Sequence, residues 1–214
     1  MIVVVDYGMG NVGSVLNMLR KLGAKSCLSA EPIEIASADR FILPGVGAFD
    51  AGIRNLTGIA GYEMLCQRVL QDGAPILGIC LGMQLFTKSS EEGVLPGLGW
   101  IDARTVRIPD AGSGTLRLPH MGWNVAHAVR PSPLFPSSTD PQRFYFVHSY
   151  HVVCHDDDDV LAQTSYGITF TSSLCRGNIV GAQFHPEKSH RFGIGFLDRF
   201  LRWTPLPRRE VPEP

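Results

Sequence analysis

Cys80 lies in Pro75-Ile-Leu-Gly-Ile-Cys-Leu-Gly-Met-Gln84, where an apolar run enters a glycine-flanked cysteine and leaves it as a helical pattern. A sharp strand-to-helix turn of this kind lifts its middle side chain above a sheet, and the glycines two before and two after remove clashing Cβ atoms. The following helix aims free N–H groups at the side chain, and its partial positive charge favours thiolate over thiol. That is a nucleophile elbow with sulfur in place of oxygen, although a buried structural cysteine at a glycine-rich turn has the same local pattern. The second reactive segment is Ile179-Val-Gly-Ala-Gln-Phe-His-Pro-Glu-Lys188. Pro186 pushes His185 into extended backbone, where side chains two apart share a face, so Glu187 can hydrogen-bond one imidazole nitrogen while the other meets a thiol. A lone histidine at a strand end is more often a satisfied surface residue. The carboxylate two residues on and the independent elbow reverse that weighting, and together they supply nucleophile, base and orienter in Cys80, His185 and Glu187.

Acyl transfer to Cys80 creates a tetrahedral oxyanion that needs preorganised backbone donors. The N–H of Leu81, directly after the nucleophile, is one. The elements that must hold these groups follow from hydrophobic patterning. Ile2–Val5, Phe41–Leu43 and Ile76–Ile79 read as strands buried on both faces. Between them, Ser14 reads as the cap of a helix that Gly23 stops, and a second amphipathic stretch runs from Gly61 to Leu70. Alternating strands and helices predict an α/β fold with a central, mostly parallel sheet flanked by helices. From about Gly99 to Gln183 shorter strands such as Arg104–Ile108, Phe144–Val147 and Val160–Thr164 predict an antiparallel extension. A last helix spans Gly193 to about Trp203. The chain is read as one domain over 1–204 with a Pro-rich tail at 205–214.

The 214 residues are 44 % hydrophobic, enough for a substantial core, and a net charge of −1 gives no case for nucleic acid or membrane binding. Five cysteines without paired or metal-like spacing point to a reducing, cytoplasmic setting. The run Asp156–Asp159 reads as a solvated hairpin loop, and no metal site or cofactor is assigned.

Gly78-Ile-Cys-Leu-Gly-Met-Gln84 and Phe184-His-Pro-Glu187 resemble the signatures of class I glutamine amidotransferases. Within that class, Asp6-Tyr-Gly-Met-Gly-Asn11, Leu43-Pro-Gly-Val-Gly47, Pro119-His-Met-Gly-Trp-Asn124 and Tyr145-Phe-Val-His-Ser-Tyr150 are similar to the glutaminase subunit of imidazole glycerol phosphate synthase, in the same order. The resemblance implies hydrolysis of L-glutamine to glutamate and ammonia. It supplies the Val46 N–H as second oxyanion donor provided that the Gly45–Val46 peptide is turned inward, and a plain left-handed turn after a strand is the other reading of Gly45–Gly47. It also implies that Gly45, Gly47, Gln84, Ser149 and Tyr150 hold the glutamine. It implies a (β/α)₈ barrel cyclase as heterodimer partner, met by a face containing Asn11, Met121, Trp123, Tyr145 and Lys188, with Trp123 alternatively a core residue. Two other readings stand beside it. Phe49-Asp-Ala-Gly52, Gly99-Trp-Ile-Asp-Ala103, His151-Val-Val-Cys154 and Ser189-His-Arg-Phe-Gly193 lean toward a paralogous amidotransferase supplying ammonia for acetamidino-sugar synthesis. A more remote one is an elbow-type cysteine hydrolase, in which the acid precedes the histidine instead of following it.

Overall fold

The computed structural model describes residues 1–109, 117–136 and 141–205. Most of the expected tail therefore lies outside the described residues. The first half alternates β1 (Ile2–Val5), α1 (Val12–Lys21), β2 (Ser26–Ser29), α2 (Pro32–Ala36), β3 (Arg40–Gly45), α3 (Phe49–Thr57), α4 (Tyr62–Cys66), β4 (Ile76–Cys80) and α5 (Leu81–Leu85). The second half is mainly strands: β5 (Ser89–Ser90), β6 (Ala103–Arg107), β7 (His120–Val125), β8 (His127–Ala128), β9 (Arg143–His148), β10 (Tyr150–Cys154), β11 (Val160–Tyr166), β12 (Ile168–Arg176) and β13 (Ile179–Ala182). Helix α6 (His190–Arg202) follows.

The main sheet runs β2-β1-β3-β4-β13-β12-β10-β6-β5, with β11 and β8 attached to the side of β12, while β7 and β9 form a separate hairpin. Strands β2 through β13 in that order are parallel, and the sheet turns antiparallel at β12. The predicted parallel core and antiparallel extension are both present. Strand alternation sorts the apolar residues onto two faces. Ile2, Val4, Ile42, Leu77 and Val180 pack with α1, α6 and the β9 aromatics, whereas Val3, Val5, Phe41, Leu43 and Ile76 pack with α3, α4 and α5.

The register matters most for the site. Gly45 pairs with Cys80 and Ala182 with Ile79. The carboxyl ends of β3, β4 and β13 thus lie side by side, where ligands bind in open α/β sheets.

Three local readings need correction. Asn11, not Ser14, occupies the N-cap of α1, because the chain turns through Gly8 (φ +75) and Gly10 (φ +101) and enters the helix at Val12. Helix α6 begins at His190, three residues before Gly193. Gly193 is required elsewhere: a Cβ there would lie 1.8 Å from the Pro186 carbonyl, so the glycine lets the helix pack onto the turn that carries Glu187. Within the acidic run, Asp159 is buried and ion-paired to Arg176 at 3.1 Å, so only its predecessors form a solvated turn. Helices α2 and α3 are absent from the sequence reading, although Pro32 at the first position of α2 and the helical spacing of Phe49, Ile53 and Leu56 in α3 mark them; Phe49-Asp-Ala-Gly52 is the first turn of α3.

Candidate active site

The strand-to-helix turn at Cys80 is as tight as its glycines suggest. Cys80 itself has φ +53 and ψ −107, a left-handed backbone that costs a non-glycine residue on the order of 1–3 kcal/mol and clusters at functional sites. A Cβ on Gly78 would meet the Gly82 carbonyl at 2.7 Å, and one on Gly82 would meet the Leu43 carbonyl at 2.0 Å. Both glycines are therefore forced by close approach of backbone to backbone. Helix α5 spans only five residues. Its contribution at the cysteine comes from the free N–H groups of its first turn rather than from a long dipole.

His185 lies at φ −101, ψ 96, extended as Pro186 requires. Its Nδ1 is 2.8 Å from Glu187 Oε1, and both side chains are almost fully buried. The Nδ1–H donates to the carboxylate, which leaves Nε2 as the nitrogen free to take a proton, and Nε2 has no other partner. Burial alone would push this imidazole down, but Cys80 and Glu187 outweigh it and raise it to about 10. The site therefore favours a proton on His185.

Cys80 opens onto a cavity of about 300 Å³ lined by Val46, Gly47, Leu81, Gln84, Glu92, Pro119, Val147, His148, Ser149 and Tyr150. Every residue expected to hold glutamine is here except Gly45, which lies under the elbow. A Cβ at Gly45 would sit 2.7 Å from the Gly82 nitrogen and 2.7 Å from the Tyr7 hydroxyl. Gly47 has φ +112, so the Gly45–Gly47 segment bends with a conformation that side chains resist.

Three contributors escaped the sequence reading. Glu92 brings a carboxylate into the cavity while accepting the Phe49 N–H at 2.9 Å; burial pushes its carboxyl up and that N–H pulls it back. Tyr7 donates to the Pro44 carbonyl at 2.6 Å, anchoring the residue before Gly45; burial, and then nearby Cys80, push its hydroxyl well above the usual range. The third is a neutral histidine relay. His148 Nδ1–H donates to the Tyr150 carbonyl at 2.8 Å, so His148 Nε2 accepts from His120 Nδ1–H at 3.0 Å, and His120 Nε2 accepts from Asn124 Nδ2 at 3.2 Å. The Pro119-His and Val147-His-Ser blocks that carry it were visible as motifs, but only the fold pairs β7 with β9.

On the outer face of that hairpin, Trp123 stacks on His190 at 5.5 Å and meets Tyr145 edge-on at 6.4 Å, while Lys188 Nζ lies 5.7 Å from the Tyr145 ring centroid. Trp123 is 40 % and Met121 61 % exposed, so Trp123 is not a core residue. Asn11 occupies the N-cap of α1, the helix that packs against the Pro186–Lys188 turn. Among the described residues, no group of three or more His, Cys, Asp or Glu is arranged to hold a metal, and no helix is long and apolar enough to cross a membrane.

Comparison with known proteins shows the family. The family Glutamine amidotransferase class-I matches residues 3–202. Imidazole glycerol phosphate synthase subunit HisH 2 of Methanococcus maripaludis is 46 % identical over 202 residues, covering 94 % of this chain and 99 % of that one. The HisH 2 subunit of Pseudomonas aeruginosa is 46 % identical over 201 residues, covering 94 % and 98 %. Among solved structures, a glutamine amidotransferase superposes with a TM-score of 0.71 at 17 % identity over 94 % of this chain and 98 % of its own, a likeness of fold. These relatives do not favour the sugar-pathway paralogue or the elbow hydrolase. A match spanning nearly the whole chain, with relatives sharing close to half its residues, shows that the chain belongs to the class I glutamine amidotransferase family, among the HisH subunits of imidazole glycerol phosphate synthase.

Proposed function

We propose that this chain is the glutaminase subunit of an imidazole glycerol phosphate synthase, hydrolysing L-glutamine and passing the ammonia to a (β/α)₈ barrel cyclase in a cytoplasmic heterodimer of histidine biosynthesis. The observation that carries the reading is the buried His185–Glu187 pair, 2.8 Å apart, beside a cysteine held at positive φ over a cavity. The names of the relatives as synthase subunits support a partner.

In this reading Cys80 gives its proton to His185 Nε2, and the thiolate attacks the side-chain carbonyl carbon of glutamine. The oxyanion is held by the N–H groups of Leu81 and Val46, each such donor contributing about 2.7–4 kcal/mol to the transition state. The protonated His185 then delivers its proton to the leaving nitrogen, releasing ammonia and a glutamyl thioester on Cys80. Water, deprotonated by His185, cleaves the thioester to glutamate and restores the thiol. Glu187 keeps the imidazole in the required tautomer throughout. Gly45, Gly47, Gln84, Ser149 and Tyr150 form the glutamine site, and Glu92 is suited to the substrate's α-ammonium group. Ammonia freed into water at neutral pH becomes mostly ammonium, so productive transfer needs a partner on the face that bears Asn11, Met121, Trp123, Tyr145 and Lys188. The cyclase joins that ammonia to its ribonucleotide substrate, giving imidazole glycerol phosphate and the carboxamide ribotide.

The test separates the two half-reactions. Cys80→Ser, assayed with the cyclase, is expected to abolish synthesis from glutamine while leaving synthesis from added ammonium salt intact. Equal loss with both nitrogen sources would overturn the division of labour.

A further inference from the structure

Gln183 is a fully buried carboxamide directly after β13, two residues before His185, and neither composition nor motif spacing gives it a task. A buried amide is costly unless its donors and acceptor are paired, so its partners define what it does. Its Nε2 lies 3.6 Å from Cys80 Sγ, and its Oε1 lies 3.1 Å from Gln84 Nε2. The polarity of this contact is fixed from the far end. Gln84 Nε2 is also 3.1 Å from the Tyr150 carbonyl, which can only accept, so the nitrogen end of Gln84 must face both neighbours. Gln183 therefore has to present its oxygen to Gln84, which turns its N–H group onto the sulfur. The Gln183 backbone N–H donates to the Ser172 carbonyl at 2.9 Å, so the donor stands on a sheet-anchored segment.

We infer that Gln183 is a positioning residue for glutamine hydrolysis: it holds the Cys80 sulfur ionised and aimed at the substrate through a directed N–H···S hydrogen bond. The inference rests on Cys80 as the nucleophile. A thiol sulfur is a weak acceptor and a thiolate a strong one, so this contact strengthens on ionisation and selects the charged form. The opposing neighbour is the Val147 carbonyl, 3.9 Å from Sγ, which can only accept and so favours the protonated thiol. The titratable groups facing the sulfur are His185, which can donate only while it carries its proton, and the buried Tyr7 hydroxyl; Gln183 is a neutral donor that offsets the Val147 carbonyl at every pH. Gln183 and His185 reach Cys80 from the same short segment after β13, one fixing the sulfur and the other exchanging its proton.

The experiment reads ionisation directly, without glutamine. Cys80 in the full chain is alkylated with iodoacetamide across a pH series, and the adduct is located by peptide mass so that Cys27, Cys66, Cys154 and Cys175 are counted apart. Gln183→Met removes the donor at similar length, and its alkylation midpoint is expected to rise by about half to one pH unit with the high-pH plateau unchanged. Gln183→Glu, which sets a carboxylate against the sulfur, is expected to raise it further. Glutamine turnover (kcat) at neutral pH should fall about 3- to 10-fold in Gln183→Met and recover as pH is raised. If Gln183→Met does not fold, Gln183→Asn, which draws the donor back from the sulfur, is read in the same way. An unmoved midpoint in a folded variant overturns the inference. That result leaves the glutaminase reading intact, since the latter stands or falls on Cys80→Ser.

Discussion

Replacing Glu187 by glutamine changes one charge and almost no volume, and it isolates what the carboxylate does for His185. The carboxylate accepts the Nδ1–H at 2.8 Å in a site where both side chains are about as buried as the core. A hydrogen bond to a charged group contributes about 1.5–3 kcal/mol and a neutral one about 0.5–1.5. The amide oxygen of glutamine can still accept, so the loss is the difference, about 1–2 kcal/mol, and kcat/KM for glutamine should fall about 5- to 30-fold. Glu187→Ala should lose more, because nothing then selects the tautomer. The same pair has a stability signature. Cys80 and Glu187 raise His185 to about 10 against burial, so the folded chain binds its proton more tightly than the unfolded chain does. That stabilisation is fully present below about pH 6.5 and is lost as pH rises toward 10. Wild type and Glu187→Gln should therefore differ most in thermal midpoint below pH 6.5 and converge toward pH 10. Glutamate release with the partner bound, at several pH values, and melting over the same series are the assays. Activity within twofold of wild type, or a stability gap that widens with pH, would refute the reasoning.

Val46→Pro deletes an N–H at the second oxyanion position and should reduce glutamine turnover by 10² to 10³, whereas Val46→Ala, which keeps the N–H, should stay near wild type; steady-state rates of the two variants decide it. Burial holds His120 down to about 4 and His148 to about 3, so the unfolded chain takes up their protons first as the pH falls. Stability should drop between pH 6.5 and about 3, and His120→Phe, stacked on Phe146 and Tyr166 like the native ring, should flatten that acid slope in melting curves. Trp123→Ala should weaken cyclase binding by about 2 kcal/mol or more, near 30-fold by titration calorimetry, while the 40 % exposed ring leaves the melting temperature of the free chain within a few degrees.

The geometry of the candidate site was legible because its constraints are local. The glycines around Cys80 are dictated by backbone contacts of 2.0–2.7 Å, and Pro186 fixes His185 within three residues of its carboxylate partner. The parallel core was legible for the same reason: strands buried on both faces leave continuous apolar runs. What the sequence hid depends on contacts between distant segments. Gln183 reaches the sulfur 103 residues away, Tyr7 anchors Pro44 across 37, and His120 meets His148 only because β7 and β9 pair. Helix α3 has no local cap, because Glu92 accepts the Phe49 N–H from outside, so only the apolar spacing of Phe49, Ile53 and Leu56 marks it in the sequence.

The central claim is that glutamine is hydrolysed through a thioester on Cys80. Acid-quenching the complex of this chain with its cyclase during turnover, followed by peptide mass analysis, tests it most directly. A glutamyl adduct on the peptide containing Cys80, absent from Cys80→Ser and from samples without glutamine, is the predicted result. Undiminished ammonia release by Cys80→Ser, or an adduct carried by Cys27, Cys66, Cys154 or Cys175 instead, would contradict it.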